Sequence, residues 1–199
     1  MSETKKNPAV EIYDSTLRDG AQARGITYSV DDKLLIAHRL DTLGVHFIEG
    51  GWPNRTNPSD LEFFRRAGKD TWTNAQIVAF GSTRRAGAPA EDDANLNNLL
   101  EAETEIVTIF GKTWDLHVRD VLKTDLDENL RIIESSVAFL RSQGRRVIYD
   151  AEHYFDGYKQ NADYALQSLQ AAQDGGAEML VLCDTNGGTL VSEVQTIIE

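Results

Sequence analysis

The sequence predicts an α/β fold, and three observations carry that reading. Short apolar, β-branched runs recur six times, spaced on the order of 30 to 40 residues apart, the length of one β/α unit. Segments with helical periodicity separate them. Most of the runs are continuously apolar rather than alternating, as strands of a parallel sheet covered on both faces must be. Two architectures satisfy this alternation, an open doubly wound sheet and a closed eightfold barrel. The first strand-to-helix turn, from Asp14 to Gly25, lacks the G-x-G-x-x-G spacing of a dinucleotide-binding sheet, which favours the barrel.

The expected strands are residues 10–13, 45–48, 76–80, 106–110, 147–149 and 179–183. Ser29 with Asp32 forms a capping-box pattern ahead of a helix over 34–43, and Gly44 supplies its left-handed stop. Asn57 followed by Pro58 opens a helix over 59–67. Thr124 is expected to cap a helix whose Leu126, Leu130, Ile133, Val137 and Leu140 share one stripe, ending at Gly144. Asn161 opens 162–173, closed by Gly175 and Gly176, and Thr189 opens a last helix still running at Glu199. An eightfold barrel typically needs about 250 residues. For a barrel, residues 1–199 therefore supply six of the eight β/α units.

Composition narrows the function classes. Hydrophobic residues make up 41% and charged residues 26%, which suits a globular chain rather than a disordered one. The net charge of −12 argues against nucleic acid as a partner, because phosphates are repelled over most of the surface. The apolar runs are too short to cross a bilayer. The polar start, Met1 to Pro8, lacks the apolar stretch of a signal peptide, so a cytoplasmic location is expected, with no membrane association. The single cysteine, Cys183, excludes an internal disulfide and a cysteine-based zinc cluster.

Parallel α/β folds collect their chemistry where strands end and the following loops begin. Those positions are polar here: Asp14 to Gln22, Glu49 to Trp52, Gly81 to Arg85, Gly111 to Trp114, Asp150 to His153 and Asp184 to Gly188. Carboxylates arriving from several strand ends suit a hard divalent cation. A neighbouring arginine suits a substrate carboxylate or a developing oxyanion. Polar strand ends also arise simply because loops are wet, and Asp, Asn and Gly there often serve turns.

The run Asp14-Ser15-Thr16-Leu17-Arg18-Asp19-Gly20-Ala21-Gln22 resembles the D-T-T-L-R-D-G-x-Q signature of the DRE-TIM metallolyases, departing from it at Ser15. That family includes isopropylmalate, homocitrate and citramalate synthases and, more distantly, HMG-CoA lyase. Ile48-Glu49-Gly50-Gly51-Trp52-Pro53, Ala79 to Arg85, Phe110 to Asp115, Asp150-Ala151-Glu152-His153 and Leu182 to Gly188 look like its citramalate synthase branch. The resemblance covers the whole chain and implies a TIM (β/α)8 barrel, of which residues 1–199 are the N-terminal part of the catalytic domain, its first six β/α units.

The resemblance also implies a Claisen-type condensation of acetyl-CoA with a 2-oxo acid, pyruvate above others, and water. The products are citramalate and CoA, in isoleucine biosynthesis. Isopropylmalate or homocitrate synthesis, and a metal-dependent lyase or aldolase, are the alternatives. On this footing Arg18 holds the 2-oxo acid and stabilises charge on its carbonyl oxygen, and Asp19 is a carboxylate ligand of a divalent metal (Mg, Mn or Zn). Gln22 sits beside them on the thioester or a water. Glu49 orients Arg18 or relays a proton, Glu152 is the active-site glutamate of the fifth strand, and Thr185 bonds the substrate carboxylate. The family's H-x-H metal ligands belong to a seventh strand, and none of His38, His46, His117 or His153 has that spacing. The partners implied are small-molecule substrates and, for the full-length enzyme, a second copy in a homodimer.

Other residues carry plainer expectations. His38 is surface, Cys183 a small core residue without an activating partner, and His153 points away from Glu152 into packing or a helix-facing hydrogen bond. His117 is open to a substrate contact. Arg84 and Arg85 are either a CoA-phosphate patch or solvated, and Trp52 and Trp114 either wall the pocket or cap the core.

Overall fold

The computed structural model describes residues 10–54 and 56–199. The polar start discussed above, Met1 to Pro8, lies outside them. Six strands, β1 (Tyr13–Asp14), β2 (Phe47–Gly51), β3 (Gln76–Ser82), β4 (Ile106–Lys112), β5 (Arg146–Glu152) and β6 (Met179–Leu182), form one sheet in sequential order, every neighbouring pair parallel. Sequential order joined by right-handed crossovers puts every helix on the same side of the sheet. A doubly wound sheet instead reverses its order at a switch point. The chain is thus six β/α units of a (β/α)8 barrel, with β1 and β6 as the outer strands among the described residues.

Alternation along the strands divides the apolar residues between two faces. Outward residues such as Ile48, Ala79, Val107, Ile109, Val147 and Ala151 pack on α1 (Val30–Leu43), α2 (Pro58–Ala67), α3 (Ala94–Glu101), α5 (Leu126–Ser142) and α7 (Ala162–Asp174) through Phe63, Phe64, Leu96, Leu99, Ile133 and Val137. Inward residues Phe47, Val78, Ile106 and Ile148, joined by Tyr13, Met179 and Val181, form a separate layer across the barrel interior. Each fully buried side chain of this size contributes about 1.5–3 kcal/mol. The inner layer closes the hollow from below, so polar residues further along the same strands stand at its mouth.

Local signals act largely as read. Ser29 and Asp32 exchange both capping-box hydrogen bonds at the start of α1, and Gly44 is left-handed at its end with φ 88°. Asn161 caps α7 by accepting from the Tyr164 amide. Four readings change. The first strand is only Tyr13–Asp14, and Val10 and Ile12 are exposed. The cap of α5 is Asp125, not Thr124, because its carboxylate reaches the Glu128 amide at 2.7 Å. Thr189 turns back to bond Asp184, leaving Leu190 at the N-terminus of α8 (Val191–Ile198). The helix α3 is additional, as are the short α4 (Asp115–His117), running into a π turn over Val118–Leu122, and α6 (Tyr154–Gln160). Among the described residues no helix is long and apolar enough to cross a membrane.

Candidate active site

The loop after β1 is built by one aspartate and one carbonyl. Asp14 accepts from the amide and hydroxyl of Thr16 at 2.9 and 3.1 Å, and the Ser15 carbonyl accepts from the amides of Arg18, Asp19 and Gly20. Leu17 is fully buried and anchors the turn. Its neighbours are thereby fixed: Arg18 lies inward and Asp19 at the rim, its side chain 63% exposed and 3.7 Å from the Arg18 guanidinium.

Arg18 Nε donates to Glu49 Oε1 in a very short contact. The other Glu49 oxygen accepts from the Tyr13 hydroxyl at 2.6 Å, and that hydroxyl meets Thr108 Oγ1 at 2.9 Å. Burial pushes the Glu49 carboxyl up, against the opposing pull of Arg18 and Tyr13. Burial, with the Glu49 charge adding to it, likewise pushes Tyr13 well above the ordinary phenol range. The guanidinium carbon lies 3.7 Å from the centroid of the Phe80 ring. Phe80 stacks on Phe110, and the Trp52 ring meets both edge-on. The arginine is thereby held in one plane, with Nη1 lying 3.7 Å from the Asp19 carboxylate.

A β-bulge places Glu49 and Trp52. The register of β2 against β3 slips between Glu49 and Gly51, so that Gly50 and Gly51 both turn towards α2. A Cβ on Gly50 would fall 2.3 Å from a ring carbon of Phe63, and one on Gly51 2.5 Å from the Asp60 carboxylate. Lys33 Nζ donates to the Gly50 carbonyl and to Asp60, which also accepts from the Trp52 amide at 2.9 Å. This buried pair fixes the bulge from behind.

The opposite wall comes from β5 and the segment after β6. Glu152 takes a very short contact from Lys112 Nζ, its register partner on β4. Asp150, two residues earlier on the same face, accepts from the Cys183 thiol at 2.9 Å. Burial pushes Asp150 up, and the nearby Glu152 adds to it while Cys183 and Arg18 oppose. Burial and the Asp150 charge raise the Cys183 thiol far above its usual range, so it is no nucleophile. Thr185 is exposed at the rim, its hydroxyl oxygen accepting from the His153 amide at 2.9 Å. Hydrogen bonds from Thr189 hold the Asp184 carboxyl below its ordinary value.

All six residues singled out from the sequence, Arg18, Asp19, Gln22, Glu49, Glu152 and Thr185, line one hollow of about 670 Å³. It also takes in residues that sequence reasoning did not assign, Tyr13, Phe80, Phe110 and Asp150, together with Trp52 and Cys183. The parity of β5, with Asp150 in step with Glu152 and Ile148, was the available signal for Asp150. The Lys112 partner of Glu152 needed the cross-strand register.

The remaining residues resolve plainly. Arg84 is tied to Ser135, Glu128 and the Ala88 carbonyl, whereas Arg85 faces a second hollow beside Asn95. His153 bonds Asp156 at 3.1 Å and packs with His117 and Trp114 away from the hollow. Burial, then His153 and Lys112, lower His117. Asp19 is a hard oxygen donor of the kind a divalent cation takes. Among the described residues no three His, Cys, Asp or Glu side chains come together to hold a cation, so the donor set present is partial.

The fold and hollow together define a barrel protein whose strand-end hollow sets one arginine among several carboxylates. A family model described as HMGL-like matches residues 9–199, and the chain belongs to that family. It is 55% identical over 188 residues to the (R)-citramalate synthase of Aquifex aeolicus and 57% identical over 192 residues to that of Synechocystis sp.. These matches take in 94% and 96% of the chain, which spans about a third (35%) of the length of each relative. The solved structure of hydroxymethylglutaryl-CoA lyase from Pseudomonas aeruginosa superposes with a TM-score of 0.75 at 18% identity, over 95% of this chain and 62% of that one. That likeness shows the shared fold.

Proposed function

We propose that the full-length protein condenses acetyl-CoA with pyruvate and water to give citramalate and CoA, a Claisen-type acyl transfer serving isoleucine biosynthesis in the cytoplasm. The observation that carries this reading is the Arg18 guanidinium, clamped between Glu49 and Phe80 inside a hollow whose rim carries Thr185. The similarity to (R)-citramalate synthases over nearly the whole chain supports the particular substrates.

Each residue has a task in this reading. The terminal nitrogens of Arg18 take the 2-oxo acid and the negative charge that grows on its carbonyl oxygen as the new bond forms. Glu49, with both oxygens occupied, orients Arg18. Thr185, whose oxygen already accepts from His153, has its hydroxyl proton free for the substrate carboxylate. Gln22, exposed beside Arg18, contacts the thioester or a water. Glu152, paired with Lys112, faces the acetyl group. Asp19 contributes one carboxylate to a divalent cation (Mg, Mn or Zn), which when bound polarises a ketone as a Lewis acid. The protein acts as a homodimer on small molecules.

Thiol release from acetyl-CoA by the full-length protein tests the reading. Release that requires pyruvate and a divalent cation is expected. Release with 2-oxoisovalerate but not with pyruvate overturns it in favour of isopropylmalate synthesis.

A further inference from the structure

Lys33 on α1 and Asp60 in the first turn of α2 form a buried ion pair, with Nζ 2.6 Å from Oδ1. Both stand behind β2 on its helix side, and the Lys33 ammonium lies 5.7 Å from the Phe63 ring centroid. The desolvation of two buried charges can outweigh their attraction, and an apolar pair of similar volume is often at least as stable. Apolar side chains would serve to pack the two helices; charged ones reach main chain as well. Lys33 Nζ donates to the Gly50 carbonyl at 2.9 Å, and the second Asp60 oxygen accepts from the Trp52 amide at 2.9 Å. That oxygen also accepts from Asn57 Nδ2 at 2.9 Å, which steadies it from the loop ahead of α2.

The two main-chain groups flank the bulge. The register passes from Glu49 opposite Val78 to Gly51 opposite Ala79, so Gly50 is the inserted residue. Side chains alternate along a strand. Counted from Glu49, which faces the hollow, unbroken alternation would turn residue 51 inward and residue 52 outward. The inserted glycine reverses that parity, and Trp52 lines the hollow instead. There its ring meets Phe80 and Phe110 edge-on, and Phe80 carries the Arg18 guanidinium on its face.

Resting on the condensation proposed above, we infer that Lys33 and Asp60 are positioning residues for the 2-oxo acid, acting through the bulge and Trp52 on Arg18. The pair fixes the Gly50 carbonyl and the Trp52 amide, and with them the turn that brings Trp52 inward. Trp52 then braces the Phe80–Phe110 stack beneath the guanidinium. Glu49, immediately before the bulge, holds the same guanidinium by its Nε. Both grips on Arg18 therefore depend on one stretch of main chain. A misplacement of about 1 Å at a reacting centre can cost on the order of a hundredfold in rate. The ion pair sets that placement from behind the strand without touching substrate.

The test uses the full-length protein, acetyl-CoA and pyruvate, with the double variant Lys33→Met, Asp60→Leu, which puts apolar side chains in place of the pair. The variant is expected to fold, and its kcat/KM for pyruvate to fall about ten- to a hundredfold while the KM of acetyl-CoA holds. The Trp52 emission, taken as the difference from the same protein carrying Trp52→Phe, should become more open to acrylamide quenching. Wild-type kcat/KM for pyruvate in the folded variant overturns the inference. A loss shared equally by both substrates with unchanged Trp52 quenching also overturns it, since that marks a general loosening of the fold. Should the double variant not fold, Asp60→Asn keeps the side-chain shape and removes the charge. The same two changes are expected there, and wild-type kinetics with unchanged quenching overturn the inference. A wild-type protein that releases no thiol with any 2-oxo acid overturns the condensation itself; Trp52 quenching then decides alone whether the pair sets the bulge.

Discussion

The two walls of the hollow solve the same problem, carboxylates in a part-buried site, in opposite ways. On the β1–β2 side Glu49, Tyr13, Thr108 and Arg18 form a closed set, with Phe80, Phe110 and Trp52 packed against the cation. On the β5–β6 side Asp150 and Glu152 have one partner each, and Thr185 is exposed. A closed network is rigid and holds a charge in a fixed direction, as an anion clamp requires. An open one keeps acceptor capacity for a group that arrives and leaves. The contrast sets a fixed charge on the first wall against carboxylates with fewer partners on the second.

The largest expected effect breaks the closed wall. Arg18→Met leaves Glu49 buried beside an apolar chain, and removing one partner of a buried pair typically costs about 3–5 kcal/mol. Urea denaturation of the variant should show a markedly lower midpoint. A midpoint equal to wild type would mean that Glu49 takes up a proton at no cost and that the clamp is not electrostatic. Next comes the bulge behind that wall. Gly50→Ala sets a methyl 2.3 Å from Phe63 and 2.9 Å from Phe64, a core overpacking worth about 1–3 kcal/mol. It should also alter Trp52 fluorescence against the background of Trp72 and Trp114; an unshifted spectrum would detach Trp52 from the bulge.

The smallest effect sharpens the open wall. Burial favours the protonated Asp150 carboxyl in the folded chain, so the fold binds that proton more tightly than the unfolded chain does. The resulting stabilisation is complete below the ordinary aspartate value of about 4 and fades as pH rises through the raised value. Asp184, held low by Thr189, has the opposite sign: its contribution is present above that ordinary value and lost as pH falls. Asp150→Asn should therefore flatten the fall in stability across mildly acidic pH, read from denaturation midpoints. A slope the same as wild type would show that the folded protein does not perturb Asp150.

Much of this was legible from residue order, and the remainder failed for identifiable reasons. Continuously apolar strands and start-and-stop residues such as Ser29, Gly44 and Asn161 act through the backbone nearby, so they read directly. Helix α3 escaped because three asparagines interrupt its apolar stripe of Leu96, Leu99 and Leu100. Its real start signal, Asp93 accepting from the Asn95 and Leu96 amides, follows a loop already rich in polar residues. In the site, residues inside the D-S-T-L-R-D-G-A-Q signature and the E-G-G and D-A-E-H phrases declared themselves. Their partners did not, because Tyr13 to Glu49 and Lys112 to Glu152 are cross-strand pairs fixed by register. Asp150 was hidden in plain view by sharing a phrase with the more conspicuous Glu152.

Pyruvate titrated calorimetrically into the full-length protein and its Arg18→Gln variant addresses the anion clamp itself. Saturable binding to the parent, weakened at least about tenfold in the variant, is the expected result, since one charge-assisted hydrogen bond is worth about 1.5–3 kcal/mol. Equal affinity in the two proteins would contradict it, and would place the 2-oxo acid somewhere other than on Arg18.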